Sequence, residues 1–70
     1  MFYTQQTPPQ NKVSVVRRTA KMSQAELAEA IGVTRQTIIA IEKGNYTPSI
    51  VLVLKLAKVL GTPVQELFWL

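Results

Sequence analysis

The chain has 70 residues, enough for one domain whose single small core buries roughly 60% of the unfolded surface. It contains neither cysteine nor histidine, which excludes disulfide staples and His/Cys metal sites. The net charge of +4 and sequence pI of about 9.9 fit a polyanionic partner such as DNA or RNA, although many small domains are mildly basic.

No run approaches the roughly 18 unbroken apolar residues that a membrane-spanning helix needs. The longest apolar segment, Ile50–Leu60, is interrupted by Lys55 and Lys58. The first residues lack the basic and apolar pattern of a leader, so a soluble protein of a reducing cytoplasm is expected.

Residues 1–10, MFYTQQTPPQ, hold a Pro-Pro pair and no periodicity, and are expected to form a flexible N-terminal arm. Phe2 and Tyr3 are its only anchors, either frayed or packed on the domain or a second subunit. The folded domain is expected over 11–70. A first helix is predicted over about 11–20, with Val13, Val16 and Ala20 on one face and Ser14 and Arg18 opposite. Ser23-Gln24-Ala25-Glu26 reads as a capping box opening a second helix that turns Leu27, Ala28 and Ile31 inward and stops at Gly32.

Thr34 is a plausible N-cap for a third helix over 35–43, closed by Gly44. Its stretch Thr37-Ile38-Ile39-Ala40-Ile41 has strand propensity, but adjacent Ile38 and Ile39 break strand alternation. A helix instead groups Thr37, Ile38 and Ile41 on one arc and turns Arg35, Gln36, Ile39, Ala40 and Lys43 outward. After a polar loop at 45–48, Pro48 suits the first turn of a fourth helix, about 49–60, whose outward strip is Val51, Lys55 and Lys58. Thr62-Pro63-Val64-Gln65 combines an N-cap, a proline and a capping-box glutamine, opening a last helix over about 63–69. The fold class is therefore all-α, with five short-looped helices and no strand required.

The informative unit is 24–43: two amphipathic helices joined by the tight turn Gly32-Val33-Thr34, with Arg, Gln and Lys projecting from the second. Such a pair forms a helix-turn-helix whose second helix can enter a major groove. Arg and Gln can each make bidentate contacts to guanine and adenine edges.

The segments Ser23-Gln24-Ala25-Glu26-Leu27-Ala28, Gly32-Val33-Thr34-Arg35-Gln36-Thr37-Ile38, Ile41-Glu42-Lys43-Gly44 and Tyr46-Thr47-Pro48-Ser49 together resemble the Cro/C1-type, or Xre-like, helix-turn-helix regulators. The resemblance spans about 11–69. It implies a compact five-helix, lambda-repressor-like DNA-binding domain, a homodimer on a roughly palindromic operator, and most often a transcriptional repressor.

By that resemblance Arg35, Gln36, Thr37, Ile39 and Ala40 match positions that face base edges. Gln24, Thr34, Lys43, Asn45, Tyr46 and Thr47 match positions that touch the DNA backbone, with Gln24 also bracing the third helix. Tyr46 can equally be a part-buried ring that holds its loop. Arg17 and Glu42 match a semi-buried structural ion pair.

Arg18 and Lys21 read as solvated charges, with a DNA role as the other reading. Ile39 departs from the family's small or polar residue, and either contacts thymine methyls or is a tolerated surface residue. Val51, Phe68, Trp69 and Leu70 supply apolar area beyond one small core and are candidate homodimer contacts; Phe68 and Trp69 can alternatively close the monomer core.

No enzyme is expected, because three of the four carboxylates have cap, ion-pair or surface roles and no acid–base or nucleophile set clusters. No cofactor, metal or small-molecule effector is expected; the partners are double-stranded DNA and a second copy. The alternative is an antitoxin-like interaction module with secondary DNA binding, served by the apolar C-terminus and the Phe2-Tyr3 arm. The expected location is the cytoplasm, on the nucleoid when DNA-bound.

Overall fold

In the computed structural model, residues 7–70 are described, and Phe2 and Tyr3 lie outside them. The elements run β1 (Gln10–Asn11), α1 (Val13–Thr19), α2 (Gln24–Ile31), α3 (Arg35–Glu42), α4 (Ile50–Leu60), α5 (Val64–Leu67) and β2 (Phe68–Trp69). The five helices fall where the periodicity placed them, and α2 packs chiefly on α3.

Local chemistry accounts for the helix starts. The Ser23 hydroxyl accepts from the Glu26 amide at 3.0 Å, and the Glu26 carboxylate accepts from the Ser23 amide at 2.7 Å. Thr34 caps α3 by accepting from the Thr37 amide at 3.3 Å. Ser49 caps α4 by accepting from the Leu52 amide at 3.2 Å.

Each of α1–α4 ends with paired backbone bonds around a left-handed residue. After α2 that residue is Gly32, at φ +75°. After α1 it is Lys21, at φ +60°, a conformation that L side chains adopt at a cost.

The core gathers Val13, Leu27, Ile38, Ile41, Leu56 and Leu67 as fully buried side chains. Ile38 and Ile41 both point inward, which resolves the propensity conflict of their stretch: α3 is held by two core contacts one turn apart.

Several expectations are corrected. Two short strands exist: Gln10 pairs with Trp69 and Asn11 with Phe68, antiparallel. Gln10, assigned to the arm, is thereby part of the domain, and the last helix stops at Leu67 because Phe68 turns to extended backbone.

Pro48 precedes the cap instead of opening α4, since the Ser49 hydroxyl takes the capping role. Thr62 does not cap α5; its hydroxyl donates back to the Leu60 carbonyl at 3.2 Å. Ala20 is exposed, because it caps α1 beyond the last buried turn, while Arg17 takes the inward place. On α4, Ile50 and Leu54 join Val51 on the solvent side.

Candidate nucleic-acid interface

The amino end of α3 carries Arg35 and Gln36, both exposed. Helical spacing continues that surface: Ile39 follows Arg35 by four residues and Lys43 follows Ile39, while Ala40 follows Gln36. Thr37, Ile39 and Ala40 are half-buried, so Ile39 is not the free-standing surface residue that the pattern described. The Thr34 and Thr37 hydroxyls share a 3.1 Å hydrogen bond at the mouth of the helix.

A polar network orients this surface. Arg17, buried on α1, donates from Nε to Glu42 Oε2 at 2.6 Å and from a terminal nitrogen to Oε1 at 3.3 Å. Its other terminal nitrogen donates to the Met22 carbonyl at 2.8 Å. Gln24, the first residue of α2, donates to Glu42 Oε1 at 3.0 Å and accepts from an Arg35 terminal nitrogen at 3.2 Å.

One amide thus touches both ends of α3, Arg35 at its start and Glu42 at its close. A hydrogen bond of this kind biases a long arginine side chain toward one orientation before any ligand arrives, which lowers the ordering cost of a contact.

The backbone-facing set lies around the rest of the helix. Lys43 caps α3 and is exposed, and Asn45, Tyr46 and Thr47 follow in an exposed loop. The Tyr46 ring is about half accessible, consistent with either of its two roles. Arg18, read as a solvated charge, is exposed and also lines an open cleft with Arg17, Ser23, Gln24, Ala25 and Arg35. The pattern alone carried no signal for this, because it depends on how α1 crosses the start of α2.

Asn11 was missed altogether. Its amide nitrogen donates to the Ile41 carbonyl at 2.9 Å, and its oxygen accepts from the Val13 amide at 3.0 Å, tying the carboxyl end of α3 to the terminal strand pair.

The candidate subunit contacts divide. Phe68 is 9% exposed and belongs to the monomer core, since β2 turns it inward, so it is withdrawn as a surface residue. Val51, Trp69 and Leu70 are exposed.

Two helices crossed at a three-residue turn, with an outward Arg-Gln pair on the second, are the architecture of a DNA-reading motif. The helix-turn-helix family model matches residues 16–67. The chain belongs to the Cro/C1-type helix-turn-helix regulators.

As a member of this Cro/C1-type family it is similar to YgzD of Bacillus subtilis, named as an HTH-type transcriptional regulator. The two are 48% identical over 60 residues, covering 86% of this chain and 91% of the relative. The transcriptional repressor RstR of the cryptic phage CTXphi, from Vibrio cholerae, is 40% identical over 57 residues, which is 81% of this chain and 51% of that protein. The crystal structure of the restriction-modification controller protein C.AhdI from Aeromonas hydrophila matches with a TM-score of 0.74 at 34% identity, covering 80% of this chain and 85% of that one.

The chain is a transcriptional regulator with a helix-turn-helix DNA-binding domain, and Cro/C1-type regulators bind double-stranded DNA. Theirs is a family of DNA-binding proteins, not of enzymes. Among the described residues no helix is long and apolar enough to cross a membrane.

Proposed function

We propose that this regulator is a repressor that binds a roughly palindromic operator as a homodimer, with α3 of each copy in successive major grooves. Half-sites then lie about one helical turn, roughly 34 Å, apart. Repression follows from occupying a promoter against polymerase, in the cytoplasm, on the nucleoid. The similarity to RstR, a repressor by name, supports that direction of control.

The observation that carries the reading is the exposed Arg35-Gln36 pair at the amino end of α3, with Arg35 held on Gln24 at 3.2 Å. Arg35 and Gln36 read base edges, with Thr37, Ile39 and Ala40 lining the same face. Gln24, Thr34, Lys43, Asn45, Tyr46 and Thr47 hold phosphates and set register without reading sequence. The half-buried Ile39 side chain offers its outer methyl to a thymine methyl.

Val51, Trp69 and Leu70 supply apolar surface for the second subunit. The same surface favours a second reading, an antitoxin-like module whose main partner is another protein. Selection of bound sites from a random duplex pool tests the first reading. An enriched inverted repeat is the expected result, and a pool that stays random at every salt concentration overturns it. A stoichiometric heteromeric complex on copurification supports the second.

A further inference from the structure

Arg18 is exposed on α1 and lines the cleft that also holds Ser23, Gln24, Ala25 and Arg35. The other two arginines of that cleft are engaged. Arg17 is spent on Glu42 and the Met22 carbonyl, and Arg35 donates to Gln24.

Arg18 differs. The ion pair found among the described residues joins Arg17 to Glu42, and the Glu26 carboxylate is turned to the Ser23 amide. The cleft lining therefore holds three guanidinium groups and no carboxylate, and only one of the three is neutralised by an ion pair. An arginine that is unpaired, solvated and set beside the residues of a DNA-facing surface presents its fork of donors to whatever anion that surface meets.

We propose that Arg18 binds a phosphodiester of the DNA backbone, making α1 a third element of the interface beside α2 and α3. The inference rests on the DNA-binding reading of the same surface and extends it to a residue outside the helix-turn-helix. The anion is the diester of a duplex, because the cleft is shared with Gln24 and Arg35, which are bonded to each other, and Arg35 opens α3, the helix read as entering the groove. The contact carries no sequence information, so it adds affinity equally on every duplex. Its signature is electrostatic: each phosphate neutralised contributes about 0.9 to the slope of log affinity against log salt concentration.

The test compares the wild-type chain with Arg18→Ala and Arg18→Lys on a selected and a random duplex between 50 and 200 mM salt, after melting curves establish that both variants are folded. Arg18→Ala is expected to lower the slope by about 0.9 on both duplexes, so that its affinity falls about 3.5-fold less across that range. Arg18→Lys keeps the wild-type slope, and base preference is unchanged in both variants.

A neutral methylphosphonate placed at single positions then locates the contact: one position weakens the wild type and leaves Arg18→Ala indifferent. Equal slopes for wild type and Arg18→Ala, with duplex binding intact, overturn the inference alone. Competition by inorganic phosphate at constant ionic strength that affects only the wild type, with equal slopes, assigns the cleft to a free anion and also overturns it. A folded wild type with no duplex affinity overturns the DNA-binding reading and this inference together.

Discussion

The Arg17 guanidinium meets the Glu42 carboxylate at 2.6 Å with side chains only 9% and 8% exposed, tying α1 to the end of α3. Two buried charges are tolerable here because the remaining donors and acceptors find partners in the Met22 carbonyl and the Gln24 amide. Glu42→Ala leaves a buried arginine without its counter-charge and is expected to cost about 3–5 kcal/mol in denaturant unfolding. The double replacement Arg17→Met with Glu42→Leu should recover most of that loss. A double variant as unstable as the single one would mean that the pair contributes more than its desolvation costs.

Lys21 occupies a left-handed turn position at φ +60° that, after α2, is given to Gly32. Lys21→Gly removes the Cβ penalty and is expected to stabilise the domain by about 0.5–1 kcal/mol, net of the added freedom of the unfolded chain. Gly32→Ala should destabilise it by about 1–2 kcal/mol, although nothing lies within 4 Å of the new Cβ, because the strain is in the backbone. Thermal midpoints that moved in the same direction for both variants would contradict this account.

Truncating the two exposed residues of α3 should separate reading from holding. Arg35→Ala and Gln36→Ala are each expected to relax base preference at one operator position, by about 1–3 kcal/mol of discrimination. Lys43→Ala should instead weaken all sequences alike and lower the salt slope by about 1. Competition between selected and random duplexes distinguishes the two patterns.

Gln24→Ala cuts both the Arg35 and the Glu42 bonds. It is expected to weaken the selected duplex more than the random one, because Arg35 is then no longer pre-positioned. Equal losses on the two duplexes would reduce Gln24 to a backbone contact.

Asn11 uses both ends of its amide, one toward Ile41 and one toward Val13. Asn11→Ala is expected to cost about 1–3 kcal/mol, since the Val13 amide loses its side-chain acceptor and the part-buried Ile41 carbonyl keeps only the Gly44 amide. Asn11→Asp keeps the acceptor for Val13 and loses the donor. It should fall well below wild type, with faster amide exchange at the carboxyl end of α3.

Phe68 and Trp69 are neighbours with opposite fates, 9% and 43% exposed. Phe68→Ala should lose about 3–5 kcal/mol of monomer stability. Trp69→Ala should change stability little and, if the chain pairs through this face as proposed, shift a sedimentation profile toward monomer. A Trp69→Ala chain that sediments as the wild type does would remove this residue from the subunit contact.

Much of the molecule was legible because its signals are local. The Ser23–Glu26 box, the Thr34 cap and the Gly32 stop each act across three or four residues, where a hydrogen bond is nearly independent of the rest of the fold. The same locality misled at Thr62-Pro63, whose spacing imitates a cap while the hydroxyl turns back to Leu60. The Arg17–Glu42 pair was readable only by resemblance, since the partners stand 25 positions apart.

By itself the amino-acid sequence determined the helix periods, the Ser23 and Thr34 caps and the outward Arg35-Gln36 pair. Tertiary structure alone decided the pairing of Asn11 with Phe68, the inward turn of Phe68 and the meeting of Arg18 with the start of α2. Strands of two residues have no period to read, and a cleft between crossed helices depends on their angle and register. Those are set by the packing of Leu27, Ile38 and Ile41 against one another across the core, and no single segment contains that information.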